Sequence, residues 1–199
     1  MRSISTVLAC AMAIALVPAG RSVTASTGPL ALSSARITIE GTSNIHAFTA
    51  STSTLYVTAL EIAGTASADV LDQVRQPGAL KAFAVSIPVA GLTSAKGDID
   101  KNMHKALKVQ EHRDIRFRLG TLEGTGPAYR ARGWLTIAGV EKEVSLDLQV
   151  ERKGTALAVT GTTDLLMTDY GITPPKAMLG MLKTNPKVQI RIELELVAA

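Results

Sequence analysis

The sequence predicts an all-β domain in which antiparallel strands form a sandwich or a barrel. Short segments alternate apolar and polar residues, as in Val188–Leu196. Turn signals such as Gln76-Pro77-Gly78 separate these segments, and a single segment carries a convincing helical period. About eight to ten strands, each with one apolar and one polar face, are typical of an antiparallel sheet. Closing such a sheet removes its exposed edges, which favours a barrel.

The chain begins with a segment that has the features of a secretory signal. Arg2 precedes the apolar run Ile4–Val17, which is short for a membrane span, and small residues lead up to Ala25. We therefore expect residues 1–25 to be a signal peptide cleaved near Ala25. The remaining 26–199 is predicted to be one exported domain.

The predicted mature part excludes several classes of function. It has 19 basic and 17 acidic residues, a net charge of +2, which is too small to indicate a nucleic-acid partner. It contains no cysteine, since Cys10 lies in the signal, and this excludes disulfides and thiol chemistry.

The strands follow one another along most of the chain. They are expected at 36–40, 45–50, 55–62, 66–74, 83–89, 115–119, 129–137, 144–150, 157–165 and 188–196. A loop is expected at 168–175, and a short helix is a further prediction near 176–182.

One amphipathic helix is predicted at about 98–109, immediately before the strand that contains Ile115 and Phe117. Ile99, Met103 and Leu107 recur at helical spacing and form an apolar stripe. Asp98 or Asp100 is expected to cap the start of the helix. Since nearly all other segments are predicted to be strands, we expect the stripe to cover an apolar face of the sheet.

Four stretches carry a resemblance to a known family. They are Gly41–Phe48, Asp100–Phe117, Gly133–Leu146 and Met167–Pro175, in this order along the chain. Together they resemble the YceI-like family of exported bacterial proteins, over 33–196. The resemblance implies a lipocalin-like antiparallel β-barrel of about eight strands with one packed helix. It also implies a periplasmic or secreted location and a long isoprenoid lipid bound inside the barrel.

The residues themselves are compatible with such a lipid, because each buried CH₂ group stabilises binding by about 0.8 kcal/mol. Apolar alternation also serves a barrel that is filled by its own side chains, so both interpretations stay open at this stage. The candidate ligand-binding residues are the inward-facing side chains of the strands, the helix stripe and the methionines expected at a lid: Phe83, Val85, Met103, Leu107, Ile115, Phe117, Leu135, Ile137, Leu146, Met167, Met178, Met181 and Ile192.

His46 and Tyr170 are candidates for contact with a polar head group. For His46, the orientation of a turn is the alternative role. The three histidines lack the short spacing of metal ligands, so no metal site is expected. We identify no catalytic residue, because the sequence contains no recognisable nucleophile with an adjacent base. No cofactor is expected beyond the bound lipid.

Three hypotheses follow. The first is an exported carrier or store for an isoprenoid lipid, with an additional transient contact to a membrane or membrane protein. The second is a ligand-free interaction module that binds a membrane redox protein and has a filled barrel. The third is an enzyme that acts on a lipid head group at the barrel mouth through His46 or His104.

Overall fold

The computed structural model of the protein describes residues 29–64, 69–177 and 181–199. Within these ranges eleven strands and two α-helices are present. The strands are β1 (Leu30–Ser43), β2 (Ala47–Thr52), β3 (Tyr56–Ile62), β4 (Leu80–Pro88), β5 (Thr93–Ser94), β6 (Asp114–Thr125), β7 (Ala128–Ile137), β8 (Val140–Lys153), β9 (Ala156–Leu166), β10 (Lys176–Ala177) and β11 (Leu182–Ala198). The helices are α1 (Val70–Gln73) and α2 (Gly97–Ala106), and the 3₁₀ turns are Val89–Gly91 and Met167–Tyr170.

All strand pairings are antiparallel, and the strands form one sheet in the order β3-β4-β6-β7-β8-β9-β11-β1-β2-β5, with β10 paired to β11. The sheet curls into a half-barrel. The prediction of an all-β, antiparallel, barrel-like fold is confirmed.

Neighbouring strands place their apolar residues opposite one another on the inner face. Phe117 on β6 is paired with Val85 on β4 and with Leu135 on β7. A Cβ atom added to Gly133 would lie 2.8 Å from the Phe117 ring, so the ring packs directly on the β7 backbone. The period of two therefore directs one face of each strand towards a shared interior.

Helix α2 covers this interior at one end, and it is shorter than the predicted 98–109. Leu107 ends the helix, and Lys108 follows with a φ of 54°. The predicted aspartate cap is wrong, because the N-cap is Lys96, which makes no side-chain capping bond. Asp100 Oδ1 instead accepts a hydrogen bond from the Ser94 amide at 2.7 Å, so this carboxylate ties the helix to β5.

Two other local predictions are wrong. The strand expected at 66–74 is replaced by α1, where Asp69 Oδ1 accepts from the Leu71 amide at 2.9 Å; residues 65–68 lie outside the described ranges. Instead of a helix near 176–182, Lys176 and Ala177 pair with Lys183 and Leu182 as a hairpin. The predicted signal peptide, 1–25, also lies outside the described residues. In the described ranges, no helix is long and apolar enough to cross a bilayer.

Helix α1 packs at the opposite end of the sheet from α2. Leu71 is buried in an apolar cluster with Leu30, Tyr129 and Leu157. The Tyr129 hydroxyl donates a hydrogen bond to the carbonyl oxygen of Arg75 at 2.8 Å, just after the helix. These contacts hold α1 against the base of the barrel.

An ion-pair cluster on the surface adds to this attachment. Arg152 on β8 pairs with Asp69 at 2.5 Å and with Asp72 at 2.7 Å. The hydrogen bond from Arg152, followed by that from the Leu71 amide, lowers the pKa of Asp69. Because the pKa is lowered in the folded state, the resulting stability is present above the unfolded pKa and is lost as pH falls through the folded pKa.

We expect the free energy of unfolding of Arg152→Met to depend less on pH than that of the wild type. The wild type should lose more stability than the variant between about pH 6 and pH 3, since an unfolded aspartate titrates near about 3.9. Urea unfolding midpoints at the two pH values measure the difference. Arg36→Met is the control, because Arg36 lies 4.0 Å from Glu193 on the exposed surface. Identical pH dependence of stability in the wild type and the Arg152 variant would show that the ion pairs of Arg152 do not stabilise the fold.

Candidate functional site

The curled sheet forms the walls of two adjoining cavities, both of which are partly open. The deep chamber has a volume of about 180 Å³ and the mouth chamber about 350 Å³. Four residues line both cavities and so form a waist between them: Ile37, Leu135, Leu165 and Ile190. The second volume lies within the range of about 300–1,000 Å³ that is typical of ligand pockets in proteins.

The deep chamber is almost wholly apolar. It lies between the waist and the end that α1 covers, where Val74 contributes to its wall. Among the described residues that line it, all but Arg75, Tyr129 and Thr163 are apolar. Such a wall offers dispersion and burial to a hydrocarbon chain and few partners to a polar group.

The mouth chamber is amphipathic. Ile99, Met103 and Leu107 of α2 form one side of it, which confirms that the helix stripe faces the interior of the sheet. Polar residues of α2 and of the neighbouring strand ends and turns also line this chamber: Ser43, His46, Lys96, Asp98, Asn102 and Thr184. A molecule with an apolar chain and a polar end would therefore match the two chambers in this order.

Most of the predicted site residues lie around these cavities. Five line the deep chamber: Phe83, Val85, Phe117, Leu146 and Ile192. Seven line the mouth chamber: His46, Met103, Leu107, Ile115, Ile137, Met167 and Tyr170. Leu135 lines both.

Two of the predicted lid methionines are not part of this arrangement. Met181 is 65% exposed and does not line either chamber. Met178 lies outside the described residues. Of the predicted lid methionines in the described residues, Met103 of α2 and Met167 of the 3₁₀ turn line the mouth chamber.

Sequence reasoning missed two residues of the waist, Ile37 and Leu165, whereas the alternation of Ile190 with its polar neighbours on β11 places it on the inward face. Both missed residues belong to predicted strands, and the alternation of Ile37 and Ile39 was the available signal. The pattern shows which face they occupy but not their height along the barrel, which depends on the pairing of β1 with β11.

Tyr170 is a buried residue in the lining of the mouth chamber. The residue is 3% exposed, and its hydroxyl makes no hydrogen bond to any residue in the described ranges. Burial, with a smaller contribution from the charge of Asp169, raises the pKa of Tyr170 to about 12. The phenol therefore stays neutral at physiological pH and can donate one hydrogen bond.

The three histidines have separate roles. His46 is exposed at the mouth, where its amide donates to Ser43 Oγ at 3.1 Å in the β1–β2 turn. His104 Nε2 donates to the carbonyl oxygen of Leu92 at 2.8 Å, which ties α2 to the segment before it. His112 packs beside Gly139 in the β7–β8 turn. In the described part of the chain no three His, Cys, Asp or Glu side chains are arranged to hold a metal ion.

Several solved structures are similar to this fold. Burkholderia cenocepacia BcnA has a TM-score of 0.64 at 12% identity, covering 81% of this chain and 95% of its own. A polyisoprenoid-binding domain from Saccharophagus degradans has a TM-score of 0.61 at 13% identity, covering 86% and 99%. The Campylobacter jejuni YceI protein has a TM-score of 0.53 at 16% identity, covering 71% and 82%. At these identities the similarity concerns the fold.

A comparison with curated protein sequences gave no match. The sequence profile of the YceI-like domain, in contrast, matches residues 23–196, which is most of the chain. The four sequence stretches, the curled antiparallel sheet and this match agree, and the chain belongs to the YceI-like family.

Proposed function

We propose that the protein binds a long apolar lipid of isoprenoid type, with the chain in the deep chamber and the polar end in the mouth chamber. The observation that carries the proposal is the apolar deep chamber, which meets an amphipathic mouth chamber at a waist of four aliphatic residues. The similar structure from Saccharophagus degradans is described as a polyisoprenoid-binding domain, which supports the isoprenoid class.

Burial of the chain would supply most of the binding free energy. Each CH₂ group transferred from water contributes about 0.8 kcal/mol, so roughly ten groups contribute about 8 kcal/mol before the cost of ordering the chain. Binding of this kind needs no covalent step and no cofactor. We therefore infer a carrier or store rather than an enzyme.

The polar end of the lipid would lie beneath α2. Tyr170 is the proposed contact there, because it lines this chamber and its hydroxyl has no hydrogen-bond partner among the described residues. His46 is a second proposed contact at the more exposed side of the same chamber. A single neutral donor suits an oxygen acceptor on the lipid better than it suits a bare hydrocarbon.

Replacing Tyr170 by Phe is expected to weaken lipid binding about fivefold, because one hydrogen bond contributes a net of about 1 kcal/mol. The variant should unfold at the same urea concentration as the wild type, since the lost hydroxyl has no protein partner in the described ranges. Fluorescence titration with an isoprenoid alcohol or a related probe measures the affinity.

Tyr56→Phe is the matched control. Tyr56 is 41% exposed and does not line either chamber, so the same chemical change should leave both affinity and stability nearly unchanged. Equal loss of affinity in the two variants would contradict the proposed contact of Tyr170.

We also propose that the protein acts outside the cytoplasm. The N-terminal segment supports this, with Arg2 before the apolar run Ile4–Val17 and small residues before Ala25. The intact mass of protein recovered from the periplasm or the medium tests it. A mass that includes residues 1–25 would contradict cleavage.

Mass spectrometry of an organic extract tests the function most directly. Protein purified from its native compartment should release an isoprenoid lipid in near-equimolar amount. The control is Leu135→Trp, which fills the waist and should release much less. An extract without lipid, together with no saturable binding of added isoprenoid, would overturn the proposal and favour an interaction module.

A further inference from the structure

We propose that the rim of the mouth chamber docks onto the surface of a phospholipid bilayer. The rim is defined by Ile45, Leu166 and Met181. This inference rests on the proposed function, because a lipid that resides in a membrane must pass between the bilayer and the mouth.

The three rim residues are unusual in their exposure. Ile45 is 58% exposed, Met181 65% and Leu166 43%, and they are three of the four large hydrophobic residues that are exposed in the described chain. The fourth, Tyr56, lies on the outer face of β3. Exposed apolar residues that occur singly are ordinary, but their concentration around one opening indicates an interaction surface.

Asn44 holds two of the rim residues side by side. Its Nδ2 donates to the carbonyl oxygen of Met181 at 2.8 Å, and its Oδ1 accepts from the Lys183 amide at 2.8 Å. Its own amide donates to the carbonyl oxygen of Lys183 at 3.1 Å. Three hydrogen bonds therefore join the β1–β2 turn to the start of β11.

The rim is continuous with the cavity. Ser43 and His46 flank Ile45 in the same turn, and both line the mouth chamber. Leu166 lines that chamber and is also exposed at the surface of the protein. A rim that enters the interface would thus open the chamber towards the apolar layer, and the lipid chain would transfer without full exposure to water.

The chemistry of the rim favours a bilayer over a protein partner. Its members are aliphatic or thioether side chains, whereas the anchors of protein interfaces are typically Trp, Tyr and Arg. Lys183 is exposed two residues from Met181, and Lys96 is exposed where it lines the mouth chamber; in the described part of the chain neither forms an ion pair. Such cations suit the anionic head groups of phospholipids.

Flotation of the full-length mature protein with vesicles of phosphatidylcholine and phosphatidylglycerol tests the proposal. The wild type should float with the vesicles, and Ile45→Asp should reduce the bound fraction about tenfold, because a charge replaces a side chain that enters the interface. Met181→Asp should act in the same direction. Tyr56→Asp is the matched control and should bind like the wild type.

Loading with an isoprenoid alcohol from detergent separates this inference from the proposed function. Ile45 does not line either chamber, so Ile45→Asp should load like the wild type while it fails to float. Absence of vesicle binding by the wild type, or equal binding by Ile45→Asp and the wild type, would overturn the docking surface even if lipid is found inside the barrel. Wild-type association with an exported protein but not with vesicles would overturn it as well.

Discussion

Leu135→Trp is expected to weaken the binding of long lipid chains about a thousandfold while the barrel still folds. Leu135 belongs to the waist, and its side chain lines both chambers. An indole ring at this position would occupy the passage and keep the chain out of the deep chamber. If roughly five CH₂ groups lose their burial, the loss is about 4 kcal/mol, or about a thousandfold in affinity.

Titration with isoprenoid alcohols of increasing length measures this effect. Wild-type affinity should rise with chain length, whereas the variant should stop gaining affinity at the length that fills the mouth chamber. Gln149→Trp adds the same ring to the exposed face of β8 and is the control. Length dependence that is unchanged by Leu135→Trp would show that the chain does not pass the waist.

The periodicity of the strands explains why the architecture could be predicted. Ile190 and Ile192 alternate with Gln189 and Arg191 on β11, and in the structure the two isoleucines face the cavities. A period of two assigns every second residue to one face, and a run of such strands leaves few ways to bury that face. The curled antiparallel sheet could be predicted because this alternation is repeated in nearly every strand.

Local structure that depends on distant contacts could not be predicted. A helix of four residues such as α1 has little stability of its own. It forms because Leu71 enters the cluster around Leu157 and because Arg152, far away in sequence, binds Asp69 and Asp72. The N-cap of α2 is a similar case, since Asp100 accepts the Ser94 amide instead of an amide of its own helix.

The candidate site could be predicted in part, for a related reason. The alternation of apolar and polar residues showed that Phe117 and Leu135 face inwards. It does not indicate whether such side chains meet across the interior or leave a cavity. That depends on the curvature of the sheet and on the register of its strands. Met181 lies in the β10–β11 hairpin, which a hydrogen bond from Asn44 joins to the β1–β2 turn. The local sequence around Met181 does not indicate this long-range contact.

Leu157→Ala is expected to destabilise the lipid-free protein by about 3 kcal/mol. Leu157 is 1% exposed on β9, and it packs with Leu30, Leu71 and Tyr129 at the base of the deep chamber. Truncation removes buried methyl groups and enlarges a cavity that already exists, and losses of about 2–5 kcal/mol are typical of such a change. Urea unfolding after delipidation measures the difference in the free energy of unfolding.

Leu166→Ala is the matched control for this prediction, because it makes the same chemical change on the same strand at a residue that is 43% exposed. Its cost should stay below about 1 kcal/mol, since exposed side chains lose little burial on truncation. Saturation with lipid should recover part of the stability of Leu157→Ala, because a ligand that binds only the folded state stabilises it. Equal destabilisation by the two variants would show that Leu157 does not contribute to stability through burial at the base of the deep chamber.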